Sequence, residues 1–127
     1  MTCQILVVDD EREIAELLAE MLGSDGHDVE IAENGSHALE KLRAQPFDLV
    51  FSDMRMPELD GPGLYRAVER AYPALARRFV FITGDAFAGE VQEIAATTLP
   101  PSVGKPFRWA EIRSVVARVV ESAWPAP

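Results

Sequence analysis

The chain is poor in cysteine, in basic residues and in long apolar runs, and each shortage excludes a class of protein or site. Its single cysteine, Cys3, rules out an internal disulfide and a zinc site built from several cysteines. With 12 basic against 21 acidic residues and a formal net charge of −9, we expect no direct contact with nucleic acid. No apolar run approaches the roughly 20 residues of a membrane-spanning helix, so we expect no membrane span.

The start of the chain, MTCQILVVDD, lacks the basic flank and the cleavage site of a secretory signal peptide. We therefore expect a cytoplasmic protein. The 127 residues, 48% of them hydrophobic, suffice for one domain with a packed core. We predict a single domain over residues 1–127, with its core at about residues 3–123 and a short proline-ended tail at residues 124–127.

Short apolar runs alternate with helical patterns along the chain. Residues 4–8, 49–51 and 79–83 are typical of strands buried on both faces, whereas residues 27–32 alternate in the manner of an edge strand. A short fifth strand is predicted near residues 99–104, at an edge because of its prolines. Five strands alternating with five helices predict an α/β fold, a doubly wound parallel sheet with helices on both faces.

The helical pattern is weakest at about residues 88–97 and clearest in the last helix. The inward face predicted for the last helix consists of Trp109, Ile112, Val115, Val116, Val119 and Val120. Cys3 is predicted to be a small buried hydrophobic residue. His27 and His37 are predicted to be surface residues, because their spacing suits neither a metal site nor phosphotransfer.

Polar residues follow or end four of the predicted strands: Asp9 and Asp10, Asp53, Thr83 and Lys105. Because the carboxyl ends of parallel strands lie at one edge of the sheet, where open α/β folds bind ligands, we expect these side chains to meet. Neighbouring carboxylates repel one another unless a cation lies between them, and oxygen ligands suit Mg²⁺. The sequence has no Gly-rich phosphate loop, so it does not indicate a nucleotide site.

Such a set can accept a phosphoryl group. Asp53 would be the nucleophile, Mg²⁺ and Lys105 would offset charge on the phosphoryl oxygens, and Thr83 would donate a hydrogen bond to one of them. Each residue also has an ordinary structural interpretation. Asp9 and Asp10 could cap the first helix, Thr83 could be a plain strand residue, and Lys105 could be a solvated surface lysine.

Four motifs in order and at ordinary spacing resemble those of two-component response-regulator receiver domains: VVDDE, SDMRMPELDG, FITGD and GKPF. The resemblance covers essentially the whole chain and implies a flavodoxin-like fold with strand order 2-1-3-4-5. It also implies that Asp53 accepts a phosphoryl group from the phosphohistidine of a histidine kinase or a histidine phosphotransfer protein. The implied function is a phosphoacceptor signalling domain without an output domain in this chain, which catalyses only its own phosphorylation and dephosphorylation.

The same resemblance implies the ligands of the metal. They are Asp10, Asp53 and the backbone carbonyl of Arg55, with Asp9 bound through water. Thr83 and Lys105 match the switch hydroxyl and the phosphate-contacting lysine of the family. A homodimer is compatible with this family pattern.

Three positions in or near these motifs, Ser102, Arg55 and Asp85, lead to further expectations. Receiver domains usually carry an aromatic residue three positions before the lysine, and this chain has Ser102 there. The C-terminal third looks most like receivers of hybrid histidine kinases, which often lack that aromatic. Arg55 and Asp85 should flank the phosphoryl group, and we expect Arg55 to pair with Asp85 or to contact the phosphate.

Two other functions compete with this interpretation. A haloacid-dehalogenase-like phosphatase also uses a strand-end aspartate with Mg²⁺, but it needs a second aspartate two residues after the nucleophile, where this chain has Arg55. A receiver-like binding module that no longer takes phosphate is the third alternative. The complete set of strand-end residues argues against it, whereas Ser102 keeps it open.

Overall fold

The computed structural model of the chain describes residues 2–83, 101–104 and 107–123. The helix predicted at residues 88–97, Asp85 and Lys105 lie outside these ranges. The described elements, in chain order, are β1 Gln4–Val8, α1 Arg12–Ser24, β2 Asp28–Ala32, α2 Gly35–Ala44, β3 Leu49–Asp53, α3 Gly61–Ala71, α4 Pro73–Ala76, β4 Phe79–Thr83, β5 Ser102–Gly104 and α5 Trp109–Ala123.

The five strands form one parallel sheet in the order β2-β1-β3-β4-β5. The predicted fold class and strand order are therefore confirmed. Because all strands run the same way, their ends define two edges of the sheet. We call the side at which Asp53 and Thr83 end their strands the carboxyl edge, and the opposite side the amino edge.

The core is divided between the two faces of this sheet, because successive side chains of a strand point to opposite faces. On one face Val7, Phe51 and Ile82 belong to the cluster that includes the buried residues of α1 and α5. On the other face Val50 and Phe81 belong to the cluster with α2, α3 and α4. Helices thus cover both faces, as predicted, and β2 shows the alternating burial expected of an edge strand.

The inward face predicted for α5 is correct except at its first residue. Five of its six members are buried, but Trp109 is 38% exposed. The indole is covered instead by the guanidinium of Arg113, whose carbon lies 4.9 Å from the ring centroid. Arg113 in turn forms a two-pronged pair with Asp25, just after α1, at 2.9 to 3.2 Å. A cation–π contact and an ion pair therefore replace burial at the start of this helix.

The two histidines lie at the surface but are not fully exposed. Both side chains are half-buried, and in each the Nδ1 atom accepts a hydrogen bond from a backbone N–H: Cys3 donates to His27 at 3.1 Å and Glu33 donates to His37 at 3.2 Å. Their role is to satisfy backbone donors in loops. Cys3 itself is buried, as predicted.

The sequence pattern does not predict helix α4, because a proline such as Pro73 is typical of the residues that follow the end of a helix. Proline also suits the first turn of a helix, where its missing N–H costs nothing, and α4 starts on it. Within the described ranges, no helix is both long and apolar enough to cross a membrane.

Candidate functional site

Three carboxylates meet at the carboxyl edge of the sheet. Asp9 follows β1, Asp53 ends β3, and these strands are neighbours. One carboxylate oxygen each from Asp9, Asp10 and Asp53 can be chosen so that all lie within 4.8 Å of one another. Asp9 and Asp53 are only 1% and 6% exposed, whereas Asp10 faces solvent. The structure thus brings together the acidic residues that the sequence selected.

Two hydrogen bonds, one at its backbone and one at its side chain, fix the position of Asp9. Its backbone N–H donates to the carbonyl of Ala32 at 3.1 Å, which extends the pairing of β1 with β2. Its Oδ1 accepts a hydrogen bond from the backbone N–H of Glu11 at 2.9 Å, at the residue before α1. This bond comes from Glu11, the N-cap residue itself, and not from an N–H group inside α1. It does not exclude a second role for Asp9, because one carboxylate can accept several bonds.

The loop after Asp53 is fixed by the backbone. The N–H of Met54 donates to the carbonyl of Ile82 at 3.1 Å, and the N–H of Gly61 donates to the carbonyl of Met54 at 3.0 Å. A Cβ atom at Gly61 would collide with the backbone oxygen of Asp53. Only glycine lets the start of α3 approach this closely, so Gly61 helps to position Asp53.

Leu59 ties this loop to two helices. A Cβ atom at Gly35, the first residue of α2, or at Gly63 in α3 would lie 2.8 Å from side-chain atoms of Leu59. The preceding residue, Glu58, has φ 70, a left-handed conformation that few non-glycine residues adopt. Asp60 then caps α3 by accepting from the N–H of Gly63 at 2.8 Å.

Sequence reasoning missed this arrangement. Asp60, Gly61 and Leu59 lie within the motif SDMRMPELDG, and none of them was assigned a role. The available signal was the presence of glycine at the start of both α2 and α3, Gly35, Gly61 and Gly63. Glycine inside the first turn of a helix is unfavourable for the helix, which indicates a close approach by another group.

Thr83 lies beside Asp53 in the sheet order. It ends β4, is 7% exposed, and follows Ile82, which is the register partner of Asp53. Its own partner on β5 is Gly104, the residue before Lys105. The described part of the predicted set therefore lies along one edge of the sheet. The predictions for Lys105 and Asp85 concern residues outside the described ranges.

Two further residues singled out in the sequence are Arg55 and Ser102. The Arg55 side chain is exposed two residues beyond Asp53, and the role predicted for its carbonyl stays a prediction. Ser102 is half-buried on β5, opposite Phe81 in the register. It does not supply the aromatic ring that the resemblance leads one to expect.

The donor chemistry of the cluster suits Mg²⁺. All three side chains offer carboxylate oxygens, the hard ligands that Mg²⁺ prefers, and an exposed member leaves room for water. Two like charges about 4 Å apart repel by about 1 kcal/mol in water and by about 4 kcal/mol at an effective dielectric constant of 20. A divalent cation would remove this repulsion, so the residues fit the metal that the sequence suggested.

Comparison with known proteins agrees with this geometry. The chain matches the family model described as response regulator receiver domain over residues 5–117. It is 39% identical over 103 residues to the response regulator receiver protein Anae109_2439 of Anaeromyxobacter sp. (strain Fw109-5), covering 80% of this chain and 43% of that protein. It is 34% identical over 118 residues to the sensor histidine kinase RcsC of Salmonella typhi, covering 92% of this chain and 12% of the kinase.

Among solved structures, the response regulator protein TrrA from Thermotoga maritima, in complex with Mg(2+)-BeF, superposes with a TM-score of 0.80. The two sequences are 30% identical, and the match covers 91% of this chain and 97% of TrrA. The chain spans less than half the length of the two sequence relatives named above.

Proposed function

The chain belongs to the response regulator receiver domain family, and from this premise we propose that it is the phosphoacceptor signalling domain of a two-component phosphorelay. The observation that carries the proposal is the meeting of Asp9, Asp10 and Asp53 within 4.8 Å at the carboxyl edge. Thr83 ends the neighbouring strand at the same edge. Receiver domains are generally signalling domains and not enzymes that act on other substrates.

In the proposed reaction, Asp53 is the nucleophile. One of its carboxylate oxygens attacks the phosphorus of a phosphohistidine on a histidine kinase or a histidine phosphotransfer protein. The new P–O bond forms as the P–N bond breaks, and the imidazole nitrogen leaves with the electron pair. The match to the histidine kinase RcsC supports a donor of this class.

Asp9, Asp10, Asp53 and the carbonyl of Arg55 would hold Mg²⁺, which supplies charge neutralisation at the phosphoryl oxygens. Asp9 would act through water, as the resemblance to receiver domains implies. Gly61 and the backbone bonds of Met54 keep the loop after Asp53 in place, so the nucleophile needs little reorganisation. Thr83 and Lys105 would contact the phosphoryl oxygens.

The test is incubation of the chain with Mg²⁺ and acetyl phosphate, followed by intact mass measurement. We expect one phosphoryl adduct that disappears in Asp53→Asn. Asp28→Asn, which removes an exposed carboxylate at the start of β2, is the matched control and should keep the adduct. Continuous hydrolysis of phosphate esters would favour the phosphatase, and an unmodified wild-type chain would favour the binding module.

Arg55 is proposed to set the lifetime of the adduct. Its exposed side chain stands two residues from Asp53, close enough in sequence to reach a phosphoryl group and to hinder an incoming water. An exposed ion pair is worth at most about 1 kcal/mol, so the effect on the rate should be about fivefold or less. An unchanged dephosphorylation rate in Arg55→Ala would remove this role.

A further inference from the structure

A second concave surface lies at the amino edge, at the other end of the strands from the carboxylates. It is a cleft of about 540 Å³ between the end of α2 and helix α4. Its walls come from residues 42–47 on one side and from residues 72–75 with Arg78 on the other. These segments lead into β3 and β4, whose far ends carry Asp53 and Thr83, so the cleft is separate from the site described above.

The interior of the cleft is apolar. Leu42, Phe47 and Leu75, which also line it, are members of the buried core. Pro46 and Pro73 stand on opposite walls, and proline both restricts the backbone and offers no N–H donor. The volume falls within the range of about 300–1,000 Å³ that is usual for sites of small organic ligands.

The charge of the cleft differs from that of the chain. The lining residues in the described part of the chain include two arginines, Arg43 and Arg78, and no aspartate or glutamate. This is notable in a chain with 21 acidic and 12 basic residues. Arginine binds carboxylates through paired N–H donors, so an anionic group is the polar feature that this cleft complements.

We propose that this cleft binds a small organic carboxylate with an apolar body. The apolar body packs against Leu42, Phe47 and Leu75, and the carboxylate lies toward the exposed Arg43. A nucleic acid is disfavoured because two arginines do not form a basic track. The proposal does not depend on whether Asp53 accepts a phosphoryl group.

The test uses the full chain labelled with ¹⁵N and titrated with 4-phenylbutyrate, with the neutral 4-phenylbutanol as the comparison. We expect amide shifts concentrated at residues 42–47 and 72–78, and affinity for the acid about fivefold higher than for the alcohol, the value of one exposed ion pair. Equal affinity for the two probes, or shifts located elsewhere, would overturn the proposal.

Two pairs of variants locate the binding. Ala74→Trp places a large side chain on an exposed lining residue and should abolish the shifts, whereas Ala110→Trp, at an exposed alanine of α5, should leave them unchanged. Arg43→Gln should remove most of the preference for the acid, with Arg66→Gln on the exposed side of α3 as its control.

Sedimentation at increasing protein concentration tests the main competing occupant. If the wild type self-associates and Ala74→Trp does not, a second copy of the chain occupies the cleft and the proposal of a small anion is wrong. A wild type that stays monomeric while it binds 4-phenylbutyrate supports the proposal.

Discussion

The two edges of the sheet are made by the same strands, yet they differ in what they contribute. At the carboxyl edge, carboxylates of like charge meet within 4.8 Å, and two of them are almost fully buried. At the amino edge, apolar side chains such as Phe47 and Leu75 complete the core, and the charges of Asp25 and Arg113 are paired. The carboxyl edge is therefore arranged to hold a cation, whereas the amino edge contributes to the core of the fold and also borders the cleft that we propose binds an anion.

The largest expected effect is at the amino edge. Phe47→Ala removes a buried ring from the core and should lower the free energy of unfolding by about 3 kcal/mol, the lower end of the usual range because the site borders the cleft. Urea unfolding measures this change. Phe47→Leu is the control and should lose only about 1 kcal/mol. A loss in Phe47→Ala as small as in the control would contradict the supporting role of this edge.

The second largest expected change in stability is at the carboxyl edge, where a new side chain would meet the backbone. Gly61→Ala should lower the free energy of unfolding by about 2 kcal/mol, because the new Cβ meets the backbone oxygen of Asp53. It should also reduce the yield of the acetyl phosphate adduct.

Gly23→Ala is the control for this change. Nothing lies within 4 Å of a Cβ at Gly23, which is in α1, so alanine should raise the free energy of unfolding by about 0.5 kcal/mol. If both variants changed stability in the same direction, close approach would not explain the glycine at position 61.

Removing a charge from the carboxylate cluster should raise the free energy of unfolding instead of lowering it. Without Mg²⁺, Asp53→Asn should raise the free energy of unfolding by about 1 kcal/mol, because it relieves repulsion from Asp9 and Asp10. Saturating Mg²⁺ should stabilise the wild type, by about 2.7 kcal/mol at one hundred times its dissociation constant, and should stabilise the variant much less. Urea unfolding with and without MgCl₂ gives both values, and a destabilised variant in metal-free buffer would contradict the repulsion.

The smallest expected change in stability concerns the ion pair of Asp25 and Arg113 at the amino edge. The hydrogen bond from the Arg113 guanidinium lowers the pKa of Asp25 below its ordinary value of 3.8. A carboxyl whose folded pKa is depressed stabilises the fold above its unfolded pKa, and this contribution is lost as the pH falls through the folded pKa.

Arg113→Gln should therefore be slightly less stable than the wild type at pH 7, and the difference should vanish once the pH has fallen below the lowered pKa of Asp25 in the folded protein. Thermal unfolding across this pH range measures it. Arg108→Gln, an exposed charge removal in the same part of the chain, should give no such pH dependence. A difference that persisted at low pH would show that packing of Trp109, and not the charge of Asp25, explains the effect.

Much of the fold could be predicted because the hydrophobic periodicity of each element agrees with the residue types at its ends. The apolar runs that became β1, β3 and β4 are short and end at acids or hydroxyls, and β2 alternates as an edge strand must. The carboxylate cluster was predictable for the same reason, since parallel strands bring their carboxyl ends to one edge. Helix α4 could not be predicted because proline suits two structures: Pro73 follows the end of one helix and begins another.

The sequence by itself determined the order of elements, the faces of the strands and the residues available for chemistry, because these follow from local periodicity and from chain direction. Only the tertiary structure decided where a neighbouring group leaves no room for a Cβ atom. This is the case at Gly61, which lies against Asp53, and at Gly35 and Gly63, which lie against Leu59. It also decided that Trp109 is covered by Arg113 and that a cleft opens between α2 and α4. Such contacts join residues far apart in the chain, and their distances depend on how whole elements pack, which no local pattern encodes.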